Sequence, residues 1–310
     1  MAAPAAHVAI LLCAYNGERF LAQQLDSIGR QTHADWTVWV SDDGSTDATA
    51  AILEQYRRAW GEQRLRVVRG PSRGFAANFL SVACRREISA DYYAYADQDD
   101  IWEADKIQRA LACLENHGRQ GPTLYCSRTR LVDETGRTIG LSPHFRRPPD
   151  FRNALVQNVG GGNTMVFNDA ARKLLVAAGP DLRVAAHDWW TYVAVTAAGG
   201  HVVYDPQPSL LYRQHGHNLI GSNNGVRARL ERVRLLMQGQ LQNWIDQNIA
   251  GIRRIAPRLS PTNRAVLESF MASRRGGALR RVYGLKRSGV YRQTFMGNAG
   301  LFVAAIFKKL

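Results

Sequence analysis

Between residues 7 and 116 the sequence alternates short apolar runs with amphipathic helical ones four times. HVAILLC at residues 7–13 reads as a buried strand, and Leu21, Leu25 and Ile28 follow at helical spacing. WTVWV at 36–40 is a second strand. After the turn DDGSTD, Ile52, Leu53, Tyr56 and Trp60 share one helical face, with Ser45 or Thr46 placed to cap its start. LRVV at 65–68 and a helix through Phe79, Val82 and Ala83 form the third unit. DYYAYA at 91–96 ends in DQDD, and Ile107, Ala110, Leu111 and Leu114 mark the fourth helix. Such repetition predicts an α/β fold: an open, mostly parallel sheet with helices on both faces. Ligands on these sheets bind beyond the carboxyl ends of the strands. The acidic turns fall there, Asp42 and Asp43 after the second strand, and Asp97, Asp99 and Asp100 after the fourth.

The middle of the chain is less regular. TLYCS, TMVF, HVVYD and SLLYRQH read as strands, GGGN at 160–163 precedes the second of these, and HDWWTYVAVTAAGG at 187–200 reads as a helix stopped by glycine. From residue 226 onward the character changes. The chain has 40 Lys+Arg against 26 Asp+Glu, and the excess of +14 lies wholly in residues 226–310, which hold 17 basic and 3 acidic residues. There Leu230, Val233, Met237, Leu241 and Trp244 form one helical stripe, Ser260-Pro261 a helix start and Gly276-Gly277 a break. Cys13, Cys84, Cys113 and Cys126 are widely spaced in apolar stretches and read as buried reduced thiols of a cytosolic protein. The start MAAPAAHVAI shows no signal-peptide pattern, and the longest apolar run, residues 295–307, is shorter than the roughly 20 residues that a spanning helix needs.

Three carboxylates packed into Asp97-Gln98-Asp99-Asp100 repel one another unless a cation relieves them. A hard divalent ion such as Mg²⁺ or Mn²⁺ suits such oxygens together with substrate phosphates, although a solvated helix-capping turn would look the same. Asp42 can accept from a base N–H or a ribose hydroxyl, or simply belong to turn chemistry with Ser45 and Asp47. Ala14-Tyr15-Asn16-Gly17 offers a backbone edge and an aromatic face for a base. Asp188, beside Trp189 and Trp190, is either a helix N-cap or a carboxylate whose pKa apolar rings raise toward that of a general base. His215 and His217 have half the spacing of a zinc site and no third partner nearby; one of them reaching a metal on Asp99 is the better use.

In their order, AYNG, SDDGSTD, RGFAAN, ADQDD, GGGN, HDWW and YRQHGHN make the chain resemble the inverting glycosyltransferases of family 2, with the GT-A fold, over about residues 7–225. AYNGERFL, ADQDDIW and RQHGHNLIG look most like the rhamnosyltransferases of bacterial surface polysaccharide assembly, such as that of lipopolysaccharide O-antigen. The resemblance implies a nucleotide-sugar half at about 7–120 and an acceptor half at about 121–225, and the charge split sets off a separate basic helical region at 226–310. Tyr15 and Glu18 would then line the nucleotide pocket with Ala14, Asp42 would hold base or ribose, and Arg73, Gly74 and Asn78 would sit along the same cleft. Asp97 would face ribose and sugar, with Asp99 and His215 holding the metal. Gly161, Gly162, Asn163 and Trp189 would belong to the sugar or acceptor loop, and Asp188 would be the catalytic base. The usual acidic residue before that base is His187 here.

The expected reaction is metal-dependent transfer, with inversion, of a sugar from a dTDP- or UDP-linked donor to a lipid-linked saccharide, with L-rhamnose the leading donor sugar. Two other classes compete. A sugar nucleotidyltransferase would want a Gly-rich basic loop after the first strand, and AYNGERF lacks one. A non-enzymatic basic adaptor would not need Asp42, Asp97, Asp99 and Asp188 together, and a dehydrogenase is disfavoured by the missing G-x-G-x-x-G. The basic tail carries no helix-turn-helix, finger or ribonucleoprotein signature, so nucleic acid is not expected. Its cations interleaved with Leu, Trp, Tyr and Phe predict helices on an anionic membrane surface, which the resemblance implies is the inner face of the cytoplasmic membrane, with packing against the catalytic part as the alternative.

Overall fold

The computed structural model describes residues 5–116, 121–215 and 238–310. Seven strands form the main sheet, in the order β10-β6-β9-β4-β1-β2-β3. They are β1 (Val8–Ala14), β2 (Trp36–Asp42), β3 (Leu65–Arg69), β4 (Tyr92–Asp97), β6 (Thr123–Ser127), β9 (Val166–Asn168) and β10 (His201–Asp205). All neighbours are parallel except β9, which runs antiparallel to both β4 and β6. Every residue of β1 is buried, as its unbroken apolar run requires of a central parallel strand. A second sheet, in the order β5-β11-β7-β8, comprises β5 (Ile101–Trp102), β7 (Arg130–Val132), β8 (Thr138–Leu141) and β11 (Leu210–Arg213).

Helices cover both faces of the main sheet. α1 (Leu21–Gly29), α2 (Thr49–Trp60) and α4 (Lys106–Glu115) pack on one face; α3 (Phe75–Ala83), α5 (Phe151–Ala154), α6 (Asp169–Ala178) and α7 (His187–Ala197) pack on the other. The four β-then-α units of the sequence are thus all present. Neither Ser45 nor Thr46 caps α2, whose first flanking residue is Ala48. Ser45 is engaged elsewhere, its Oγ donating to Asp42 and accepting from Asn16 N, which is why the helix starts later. Cys13 and Cys126 are buried thiols, whereas Cys84 and Cys113 lie half-buried.

The C-terminal segment continues the second of these layers. α8 (Gln240–Arg254), α9 (Pro261–Ser273), α10 (Ala278–Ser288) and α11 (Phe295–Ile306) place Ile245, Ile249, Ile252 and Phe270 in the same apolar cluster as Trp190 and Leu175. Each such side chain contributes about 1.5–3 kcal/mol by leaving water, so α8 and α9 are held to α6 and α7 firmly. Gly251 makes the approach possible, because a Cβ there would stand 2.5 Å from the Trp190 ring. Ser260 caps α9 by accepting from Asn263 N at 3.2 Å, with Pro261 in the first turn, and Gly276 and Gly277 separate α9 from α10. Of the expected helical stripe, Leu241 and Trp244 lie on α8; Leu230, Val233 and Met237 fall outside the described residues.

Candidate active site

Strand register assembles the first half of the site. Ala14 lies opposite Asp42 across β1 and β2, and Cys13 lies opposite Asp97 across β1 and β4, so three strand ends finish at one level. Chain order runs outward from β1 to β3 on one side and resumes with β4 on the other; such a reversal leaves a crevice at the strand ends. The loop after β1 is knitted to the turn after β2. Asn16 N donates to Ser45 Oγ at 2.9 Å, Gly17 N to Thr49 Oγ1 at 2.7 Å and Glu18 N to Asp47 Oδ2 at 3.0 Å. Those bonds hold Asn16 in a left-handed conformation, φ 48°, and leave the Tyr15 ring 59% exposed over the crevice edge. Asp42 Oδ1 accepts from both the N–H and the hydroxyl of Ser45, while its Oδ2 takes no hydrogen bond among the described residues.

Gln98 fixes the acidic turn against that loop. Its amide accepts from Tyr15 N at 2.8 Å and donates to Tyr15 O at 3.0 Å. Asp97 is half-buried at the strand end and Asp100 fully buried; burial, then the neighbouring carboxylates, pushes both well above the ordinary carboxyl range. Beneath them is Lys106, at the start of α4. Its Nζ is fully buried, has no hydrogen-bond partner among the described residues and sits 3.6 Å from the Trp102 ring centroid; burial lowers it to about 7, with Asp100 and Asp97 pulling the other way. The pairing of β5 with β11 folds the chain after β11 back over Asp99, and His215 Nε2 stands 2.7 Å from Asp99 Oδ2. Arg213 braces the turn, its Nε donating to Asp99 O and its backbone N–H to Asp100 Oδ1. His217 lies outside the described residues.

The second half of the site comes from α7 and the 3-10 turn at Gly162–Thr164. Asp188 is the second residue of α7, one position inside the helix rather than at its cap. Its Oδ1 accepts from Trp189 N at 2.6 Å and its Oδ2 from Gly162 N at 3.0 Å. Burial raises this carboxyl to about 6, and the bonds from Trp189, Gly162 and Asn158 keep it from rising further. One residue beyond Gly162, Asn163 Nδ2 donates to Asp100 Oδ2 at 2.6 Å. The turn therefore ties the acidic turn after β4 to Asp188. His187 adds no charge beside it: the imidazole lies flat on Phe79, 3.8 Å between centroids, and edge-on to Tyr95, and burial lowers it to about 3.

Several residues expected along the cleft face inward instead. Asn78 is buried, with its Oδ1 accepting from Ser41 Oγ at 2.5 Å and its Nδ2 donating to Ser41 O at 3.0 Å, because α3 must be pinned to β2 at this point. Trp189 is also buried, its Nε1 donating to Ala154 O at 2.7 Å and its ring edge-on to Trp244, so it joins α7 to α5 and α8. Glu18 Oε2 accepts from Ala48 N at 3.0 Å, binding loop to loop. Ala14 gives its carbonyl to Asp43 N. Arg73 is exposed, Gly74 opens α3 at φ 85°, and Gly161 O takes the hydroxyl of Thr164. Asn78→Ala should leave the Ser41 hydroxyl and carbonyl unsatisfied and cost about 2–4 kcal/mol of stability, read as a lower urea midpoint with unchanged slope; an unchanged midpoint would contradict the pin.

Other residues matter that the sequence alone did not single out. Asp43 orders the loop at 70–74, accepting from Ser72 N at 2.6 Å and Gly74 N at 3.1 Å. Lys106 had a readable signal, since it shares the inner face of α4 with Ala110 at helical spacing. Asn158 and Arg213 gave none, their partners lying 30 and more than 110 residues away.

Comparison with known proteins agrees with this geometry. Residues 9–175 match the profile of Glycosyl transferase family 2, and the chain belongs to that family. It is 28% identical over 235 residues to the dTDP-rhamnosyl transferase RfbG of Shigella flexneri, an alignment covering 73% of this chain and 78% of that protein. In fold it is similar to residues 1–349 of S. aureus TarS in complex with UDP-GlcNAc, with a TM-score of 0.55 at 14% identity, covering 98% of this chain and 90% of that one. The mannosyltransferase PcManGT of Pyrobaculum calidifontis, in complex with GDP-Man and Mn²⁺, gives a TM-score of 0.51 at 19% identity, covering 98% and 87%. A GT-A fold with a helical C-terminal region is the result, as the sequence predicts; a nucleotidyltransferase, a dehydrogenase and an adaptor are set aside.

Proposed function

We propose that this chain transfers L-rhamnose from dTDP-rhamnose, with inversion at the anomeric carbon, to a hydroxyl of a lipid-linked glycan during assembly of a bacterial surface polysaccharide such as O-antigen. The observation that carries the reading is the 3-10 turn whose Gly162 holds Asp188 and whose Asn163 holds Asp100, setting a base beside the acidic strand end. The relative that bears the name of a dTDP-rhamnosyl transferase supports the donor.

The exposed Tyr15 ring takes one face of the base, and the open oxygen of Asp42 accepts from the base or from a ribose hydroxyl. Asp97 faces ribose and sugar. Asp188, fixed by two backbone N–H groups, accepts the proton of the acceptor hydroxyl as it attacks from the side opposite the diphosphate. Asp99 Oδ2 and His215 Nε2 converge within 2.7 Å, and this oxygen and nitrogen would hold Mn²⁺ or Mg²⁺. Among the described residues no third His, Cys, Asp or Glu joins this pair. Such a cation offsets the charge of the departing nucleoside diphosphate. The acceptor lipid would be met at the cytoplasmic face of the inner membrane through residues 226–310.

Incubation with dTDP-rhamnose, Mn²⁺ and a membrane-lipid acceptor extract should release dTDP and yield a rhamnoside of inverted configuration by NMR. Failure to release nucleotide from any sugar donor, or retained configuration, would refute the assignment. Calorimetry should show dTDP binding strengthened by Mn²⁺; equal affinity without it would remove the cation from the site. With Asp188 at about 6, the ionised form is the base, so kcat/KM should fall tenfold per pH unit below about pH 6 and level off above it. A flat acid limb would separate Asp188 from proton transfer.

A further inference from the structure

The helices α10 and α11 carry an outward face that no other described residue covers. On α11, Phe295, Met296, Phe302, Val303, Ile306 and Phe307 are exposed, Phe295 at 86% and Met296 at 76%, while Leu301, Ala304 and Ala305 face the protein. At helical spacing the exposed six fall within an arc of about 140° that contains no charged residue. Alongside, α10 exposes Leu279 and Tyr283 among Arg280, Lys286 and Arg287, and Lys308 and Lys309 follow α11. The arc is held in place from behind: buried Arg281 reaches from α10 to the end of α11, donating to Ala305 O and to Ile306 O at 2.8 Å.

We infer that this face seats on an anionic bilayer and that seating fixes the acceptor-side segment 143–153 at the membrane surface, a deepening that rests on the lipid-linked reading above. Charge selects the occupant. A second copy would bring the cations flanking the two arcs together, whereas anionic headgroups neutralise them. α11, at about 18 Å, is too short to cross a bilayer core of about 30 Å, and no described helix is long and apolar enough to do so, so it lies in the interface plane.

The link to the site is a strap at residues 291–293, immediately before α11. Tyr291 OH donates to Pro148 O at 2.7 Å, and Asn153 Nδ2 donates to Tyr291 O at 2.9 Å. Gln293 exchanges two hydrogen bonds with the Arg147 backbone and donates its own N–H to Gln157 Oε1 at 2.8 Å. Gln157 neighbours Asn158, whose side chain helps hold the Asp188 carboxyl down, and Ala154 O receives Trp189. An acceptor held in the bilayer thus arrives beside the segment that leads to the base.

The test uses the full chain. It should pellet with vesicles of phosphatidylglycerol and phosphatidylcholine, at least tenfold more than with phosphatidylcholine alone, and Phe295→Ser with Phe302→Ser and Phe307→Ser should lower that binding at least tenfold. Phe302→Trp covers the case in which the triple variant misfolds: its emission, less that of the unsubstituted chain with its seven tryptophans, should shift to the blue on anionic vesicles and be quenched by brominated lipid chains. Unchanged emission with pelleted protein, equal binding to neutral vesicles, or a vesicle-free dimer that the serine variant dissolves would each overturn the inference. Vesicle binding is measured without nucleotide and dTDP release without vesicles, so failure of one does not imply failure of the other.

Discussion

Asp188→Asn is expected to lower kcat by about 100- to 10,000-fold, the usual worth of a positioned general base, with dTDP affinity nearly unchanged. The neighbouring imidazole is no substitute for the carboxylate: His187 is neutral but walled in by Phe79 and Tyr95, with both ring nitrogens buried. Folding should survive, because two effects oppose. An amide nitrogen cannot accept from Gly162 N or Trp189 N, so one bond is lost, yet removing a charge that burial already disfavours relieves strain of the opposite sign. The melting temperature should therefore move by only a few degrees, and the acid limb of the pH profile should vanish with the carboxyl. Asp188→Glu restores the charge on a longer arm and should still be slow, since the base must meet its proton within hydrogen-bond reach. Turnover measured by nucleotide release, beside calorimetric affinity, separates these outcomes; near-normal turnover in the asparagine variant would remove Asp188 as the base.

What the sequence made legible was governed by contact distance along the chain. Strand ends carrying Ala14, Asp42 and Asp97 were readable because apolar runs, helical spacing and parallel topology together dictate which edge they share. Even there, resolution stopped short of side chains. Asp42 and Asp43 are adjacent at a strand end, and nothing in their spacing says that Asp43 serves Ser72 and Gly74 while Asp42 keeps one oxygen open. Ser45 looks like a helix cap by composition; a loop 29 residues earlier claims it instead. Asn78 and Trp189 are groups that the resemblance assigns to the cleft, and no spacing in the sequence reports that they are buried with Ser41 and Ala154 as hydrogen-bond partners. The C-terminal region reads as separate from its charge, yet its apolar residues join the catalytic core, because charge patterning reports the solvent face and says little about the buried one.

Gly162→Ala is expected to lower kcat by about 10- to 100-fold and stability by about 1–3 kcal/mol. The cause is steric. A Cβ on Gly162 would overlap His187 Nε2 and come within 3.3 Å of Asp188 Cβ. The imidazole cannot swing away, because Phe79 lies flat against it and Tyr95 meets it edge-on. Either the turn or the first turn of α7 must therefore shift, and the bond from Gly162 N to Asp188 Oδ2 is the one that lengthens. Asn163 follows its neighbour, loosening its hold on Asp100, so the two halves of the site drift together. Removing the obstacle provides the control: His187→Ala in the Gly162→Ala background opens the space, and part of the lost turnover should return. A double-mutant cycle on kcat would then give a coupling of about 0.5–3 kcal/mol between positions 162 and 187. Additive losses would mean that the turn, rather than its contact with the imidazole, sets the base, and full activity in Gly162→Ala alone would show that Asp188 does not depend on it.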